Sequence, residues 1–347
     1  MTSTLTPPAS VATVLRRPMR VRLLALGGGA VLLVLLCASS VAFGAADVTL
    51  NDIIGALSGQ SDTLAQAAVV KRMPRTVLAI LVGAALAISG TGMQAVTRNP
   101  VADPGILGVT SGAALAVVCG IAFAGVTDPT VSIVLAVIGA ALAAAFVYTV
   151  GSLGRGGATP LKLALAGAAT TAALTSLVSA ILLPRVDILQ SVQSWQIGGV
   201  GGATWHRIAI LTPVLVIGAL ICVASSRGMN SLALGDDLAT GLGVHVARTR
   251  LMTTVGAVIL AGAATAIAGP IAFVGLVVPH VCRMLVGTDH RWLVPFAGLA
   301  GACLLLAGDV LGRVIARPDE IQVGVVTAVI GAPFFIWIVR RQKVREL

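Results

Sequence analysis

The chain has 347 residues, of which 57% are apolar and only 10% charged, and its formal charge is +10. So little polar surface excludes a soluble globular protein of this size. The basic excess does not mark nucleic-acid binding either, because the cations stand at the ends of apolar runs, as they do in membrane topologies.

In chain order, "LRRPMRVR" leads into a run of 24 uncharged residues from Leu23 to Ala46. An uncharged run of ~20 residues matches a ~30 Å hydrocarbon core. The run exceeds the ~7–15-residue core of a signal peptide and predicts a retained helix. Reading on gives ten spans: 21–44, 75–97, 106–126, 130–151, 161–183, 207–225, 251–268, 271–286, 292–311 and 322–340. A break is expected at Gly269-Pro270, where proline lacks an amide donor. Residues 188–206, "ILQSVQSWQIGGVGGATWH", are uncharged but carry three glutamines and four glycines. Such a stretch is costly in hydrocarbon, so it is placed at the outer rim, folded over the bundle. The five cysteines lie in or beside apolar spans without a Cys-x-x-Cys pair and read as packing residues.

An even span count puts both termini on one side. With the basic N-terminal tail inside, sixteen Lys and Arg fall inside. Seven fall outside: Lys71, Arg72, Arg75, Arg185, Arg207, Arg313 and Arg317. That bias favours cytoplasmic termini. It also leaves the cluster in "VVKRMPRTVLAILVGAAL", 69–86, on the outer face, where something must hold it. The chain divides into a cytoplasmic tail (1–20), a ten-helix transmembrane domain (21–340) and a second cytoplasmic tail (341–347).

"GAALAISG" (83–90) and "GAATAIAG" (262–269) agree at six of eight positions. In this topology the two copies run in opposite directions, an inverted repeat of the kind that builds a path between similar halves. No self-contained energy source is visible. The three lysines follow Val70, Leu161 and Gln342, so no Gly-Lys-Ser/Thr phosphate loop exists. The four histidines lack zinc-protease spacing, and "GTDHR" (287–291) reads as a turn between spans. Asp103 and Asp309 lie near span ends, with no midspan carboxylate to relay protons; buried ionisable residues are expected to be absent, which argues against a proton-driven carrier. On the inner side, "MNSLALGDDLATGLGVHVARTR" (229–250) is longer than a connection requires. Asp236 is expected to cap a short helix 237–241, with Leu238 and Leu242 on one face and Gly235, Gly241 and Gly243 making the turns. A partner-docking helix is the expectation.

On these residues the chain resembles the permease subunits of type II ABC importers for iron–siderophores and vitamin B12, the FecCD-like family, across about residues 47–340. The resemblance rests on "RMPRTVLAILVGAALAISGTGMQAVTRNPVADPGILGVTSGA" (72–113), "LALGDDLATGLGV" (232–244), "GPIAFVGLVVPHVCRMLVGTDHR" (269–291) and "VGVVTAVIGAPFFIW" (323–337). "SWQIGGVGGATW" and "PIAFVGLVVPH" look most like permeases of the ferric-enterobactin kind. The resemblance implies an all-α permease of about ten helices with an inverted repeat. It would be a multi-pass protein of the cytoplasmic membrane that imports a ferric siderophore. Cobalamin or haem would be the alternative cargo, and an ion-coupled secondary carrier is the rival from another class. Implied partners are a second permease subunit, two ATPase subunits that hold ATP and Mg, and an extracytoplasmic binding protein; no cofactor or metal falls to this chain, nor catalysis.

By the same resemblance, Arg72, Arg75 and Arg313 dock acidic residues of the binding protein. Guanidiniums on an outer surface would suit that role. Asp236, Asp237, Leu238, Gly241 and Gly243 seat on the ATPase. The fifth span and the rim line the path, which points to Thr171, Thr175 and Ser179 on one helical face and to Gln190, Gln193 and Gln196. Those hydroxyls could equally bond neighbouring backbone. Two departures stand out. Val101 replaces the usual leucine after Asn-Pro, and Glu320-Ile321-Gln322 replaces Glu-Leu-Pro.

Overall fold

The computed structural model describes residues 17–153 and 160–343. Residues 1–16, 154–159 and 344–347, and with them most of the expected tails, lie outside the described residues.

The described residues are all-helical, with fourteen α-helices, one short 3₁₀ turn and no strand. Seven helices are long and apolar enough to cross a membrane: α1 (Met19–Ala42), α3 (Leu64–Thr97), α5 (Pro129–Ser152), α6 (Pro160–Leu182), α8 (Trp205–Ala224), α11 (Val246–Ala268) and α13 (His290–Ile315). Three helices with shorter apolar stretches complete the ten expected spans: α4 (Val109–Ala124), α12 (Val274–Val286) and α14 (Val323–Lys343, apolar over Val323–Trp337). The connecting helices are α2 (Leu50–Leu57), α7 (Val186–Gln196), α9 (Ser226–Leu232) and α10 (Asp236–Gly241).

The longest departure from expectation is α3, which starts at Leu64 rather than 75. Thr63 and Gln66 form a reciprocal capping box there, and the helix runs on through Pro74. The other boundary expectations hold closely. α11 stops at Ala268, Gly269 turns with φ 70°, and Phe273 takes a left-handed φ of 68° before α12 begins. The 188–206 segment is not a span. α7 covers its first part, and the Trp195 indole donates to the Ala266 carbonyl at 3.2 Å. The Gly199 amide donates to Ala268 at 2.7 Å and the Gly324 amide to Gly198 at 2.9 Å, which wedges the segment between the ends of α11 and α14.

Helices α3, α11 and α13 are mostly buried, whereas little of α1, α6 and α8 is. Hydrocarbon solvent offers no hydrophobic drive for helices to associate, so small residues must let them approach. A Cβ on Gly83 would lie 2.3 Å from the Gly301 carbonyl of α13, and one on Gly301 would lie 2.3 Å from that of Gly83. Gly112 of α4 and Gly139 of α5 face each other in the same way. The repeated octapeptides pack reciprocally: Gly83 opens the first and meets α13 of the second half, while Gly262 opens the second and meets Val137 and Ala140 of α5 in the first.

Candidate functional site

The bundle has two charged ends. At one, α3 and α13 carry an ion cluster centred on Asp309. Arg75 grips this carboxylate through Nε at 3.0 Å and Nη2 at 2.9 Å, and reaches Glu320 through Nη1 at 2.6 Å. Arg313, one helical turn after Asp309, meets its other oxygen at 3.0 Å and donates to the Ser40 carbonyl and hydroxyl at 3.1 and 2.7 Å. Arg72 donates to the carbonyls of Val41, Ala42 and Ala46 at 3.0, 3.2 and 2.7 Å. The last carbonyls of a helix have no partner within it, and cations suit that end. Arg72 and Arg313 therefore clasp the end of α1 onto α3 and α13.

The three expected docking arginines are thus brought together, but two of them are not outer-surface guanidiniums. Arg72 is 6% exposed and Arg313 only 1%, their donors turned to carbonyls and to Asp309. The reading of buried ionisable groups as absent is corrected as well, since Asp309 is fully buried. It sits in an ion-paired cluster near a helix end, where pairing offsets the cost of burying its charge. Arg75 alone of the three opens onto a cleft of about 340 Å³, which it lines with Trp195, Gly201, Arg207, Glu320 and Gln322. Lys71 beside it is exposed.

At the opposite end lies the 229–250 loop. Helix α10 begins at Asp236 itself, and its N-cap is Gly235 at φ 109°, a conformation that disfavours any side chain. Asp236 is therefore not the cap. Its carboxylate instead pairs with Arg98 and, at 3.1 Å, with Arg250. Asp237 occupies the same first turn, Gly241 is the last helical residue rather than a turn, and Gly243 turns the chain with φ 77°. Leu238 and Leu242 project outward, 62% and 64% exposed. An aliphatic pair that exposed on an anchored one-and-a-half-turn helix is a contact surface without a cover in this chain.

Beside it, a cavity of about 840 Å³ is lined by Arg22, Arg98, Asn230, Arg283, Asp289 and Arg291. Asp289 caps α13 through the Arg291 amide at 3.1 Å and accepts from the Asn230 amide at 2.7 Å, so "GTDHR" is a capped turn. Burial would raise the Asp289 carboxyl. The hydrogen bonds from Asn230 and Arg291 and the charges of Arg22 and Arg291 outweigh that and hold it below the usual carboxylate range. Arg98 and Arg250 are functional candidates that the sequence reading did not single out. Arg98 lies 138 residues from Asp236, beyond any local spacing signal.

Thr171, Thr175 and Ser179 do share a face of α6, and that face is largely uncovered. Thr175 and Ser179 donate to carbonyls one turn back at 2.8 and 3.1 Å, which satisfies their hydroxyls within the helix. Gln193 is exposed and Gln196 partly so at the end of α7; the side chain of Gln190 lies outside the described residues.

A family model described as the FecCD transport family matches residues 32–341. The chain belongs to the FecCD transport family. It is 43% identical over 92% of its length to the ferric enterobactin transport system permease protein FepD of Escherichia coli (strain K12), covering 96% of that protein. It is 42% identical to the iron(3+)-hydroxamate import system permease protein FhuB of Bacillus subtilis (strain 168), over 88% of this chain and 79% of that one. Among solved structures it resembles a transporter assigned to the metal-chelate ABC type in an inward-facing conformation. The TM-score is 0.78 and the identity 29%, over 92% of this chain and 99% of that one. The family match, residues 32–341, takes in both charged ends and the apolar helices from the second half of α1 into α14. Its departure at Glu320-Ile321-Gln322 is structurally quiet: the Ile321 amide donates to Gly312 at 3.1 Å, and Gln322 precedes α14 with its carbonyl accepting from Val325 and Val326.

Proposed function

We propose that this chain is the permease subunit of an ATP-driven importer that carries a ferric siderophore across the cytoplasmic membrane, with both termini cytoplasmic. The observation that carries the cargo is the near full-length likeness to a ferric enterobactin permease. The Asp236 end faces the cytoplasm in this reading, and α10 seats its Leu238–Leu242 edge on one of two ATPase subunits that hold ATP and Mg. The exposed pair and the anchored Asp236 support that role. The Arg75 end faces outward to a siderophore-loaded binding protein. Arg75 and Lys71 offer charge to its carboxylates, while Arg72 and Arg313 position Arg75 by fixing α1, α3 and α13. A second permease subunit, a paralogue or a copy, covers the hydroxyl-bearing face of α6. The path then runs past Thr171, Thr175, Ser179 and the α7 glutamines. Movement of α10 on the ATPase would be converted by the bundle into alternating access.

The test is uptake of radio-iron siderophores in cells carrying the chain with its neighbouring genes. Arg75→Glu and Leu238→Asp are each expected to cut uptake at least tenfold while the protein still reaches the membrane. Full uptake in both variants would overturn the docking and coupling assignments together.

A further inference from the structure

Away from both ends, a groove of about 660 Å³ runs between α5 and α11. It opens at Tyr148, Thr149 and Arg250 and extends past Val255 to Val137 and Ile259. On α11 it spans residues 246–259, which is ~20 Å at 1.5 Å per residue. One leaflet of a ~30 Å hydrocarbon core is about 15 Å deep. Apart from its polar mouth and Thr254, the groove is walled by aliphatic and alanine side chains.

The surroundings say what covers this face. Bulky exposed residues flank the groove, Val134, Ile138, Leu142 and Phe146 on α5 and Leu251 and Met252 on α11, beside the small Ala141, Ala145 and Ala247 that line it. The exposed surface of α6 is instead mainly small and hydroxylic, with Ala172, Thr175, Ser176 and Ser179 outnumbering the two leucines, Leu165 and Leu177. Small residues select a helix as neighbour, and bulky aliphatic ones suit acyl chains. The mouth adds charge. Arg250 shares the single carboxylate of Asp236 with Arg98, which leaves positive charge in excess, and among the described residues its buried Nε donates to nothing. Exposed Arg248 stands two residues before it. Tyr148, the only tyrosine of the chain, marks the interfacial level that aromatic rings favour.

We propose that the α5–α11 groove binds an anionic phospholipid, one acyl chain lying along the groove and the phosphate held at Arg250. A basic mouth at the end of an apolar slot between helices suits both parts of such a lipid. The site is distinct from the path and from the coupling helix, and it touches the latter through the Arg250–Asp236 pair.

The test is native mass spectrometry of the full chain released from micelles doped with phosphatidylglycerol or with phosphatidylcholine of the same acyl chains. Wild type is expected to retain phosphatidylglycerol several-fold over phosphatidylcholine. Arg250→Lys keeps that preference, and Arg250→Gln abolishes it. Ala145→Trp fills the groove from the exposed Ala145 position and lowers the retained lipid by one per chain, with Arg250 intact. Equal retention of the two lipids by wild type, an unchanged preference in Arg250→Gln, or an unchanged lipid count in Ala145→Trp would each overturn the assignment.

Discussion

Asp309 is held by two guanidiniums inside a helix bundle, with Arg75 and Arg313 both within 3.0 Å. Removing one partner of a buried ion pair strands the rest, at a cost of about 3–5 kcal/mol. Asp309→Ala is therefore expected to lower the melting temperature of the purified protein by several degrees, as read by fluorescence-detected gel filtration after heating. Asp289 makes a pH-dependent contribution. Its carboxyl is held below the usual range, so its stabilisation is complete above the ordinary carboxylate pKa and is lost as pH falls through the lowered value. The gap in melting temperature between wild type and Asp289→Asn is expected to be widest near neutrality and to narrow as the pH falls through that window. A gap that widens on acidification would refute it. Of these contacts the sequence carried only the i, i+4 spacing of Asp309 and Arg313. Arg75 and Asp309 are 234 residues apart, and cations at span ends read by default as reaching outward. Only the structure shows that Arg72 and Arg313 turn inward to carbonyls of α1.

Elements were far more legible than pairs. The bilayer forces each crossing segment to be apolar and about twenty residues long, so charge-free runs located all ten helices, and all but the start of α3 to within five residues. The Gly269 break was visible because Gly and Pro act on their own backbone. The first turns of α3 were missed because their signal is a capping box in polar sequence rather than hydropathy. The cap of α10 was misplaced by one residue, because Gly235 adopts a φ of 109° that only the folded turn reveals. Close helix crossings give the test at this scale. Gly83→Ala would put a methyl 2.3 Å from the Gly301 carbonyl. Overpacking of this kind costs about 1–3 kcal/mol. The variant is expected to show a lowered melting temperature, with Gly301→Ala producing a comparable loss and the double variant less than the sum of the two.

At the scale of the whole molecule, the chain holds charge at two ends and lays apolar helix between them. Among the described residues the interior carboxylates are engaged near helix ends: Asp309 is paired with two arginines, and Asp103 accepts from the Gly105 amide at 2.8 Å at the start of the 3₁₀ turn, so neither stands in midspan as a proton relay would require. Iron-siderophore uptake by the assembled transporter is accordingly expected to stop when cellular ATP is depleted, and to continue under an uncoupler while ATP is maintained. Uptake that follows the proton gradient and ignores ATP would transfer this chain to the secondary carriers. The repeat adds to the same picture. Each half lends its small-residue helix to a crossing with the other, so the halves are interleaved rather than placed side by side.

The clasp at the Arg75 end has a consequence for synthesis. Ribosomes deliver the chain from its N-terminus, so Arg72 and Arg75 reach the membrane hundreds of residues before the carboxylate of Asp309 exists. Until α13 inserts, the guanidinium of Arg75 waits at the lipid boundary, and the end of α1 is fastened through Arg72 alone. Arrival of the ninth span brings Asp309 to Arg75 and Arg313 to the end of α1 together, which makes the ion cluster a seal on completed insertion. A nascent chain halted before residue 309 would still carry its open clasp, a mark by which an unfinished chain differs from a finished one.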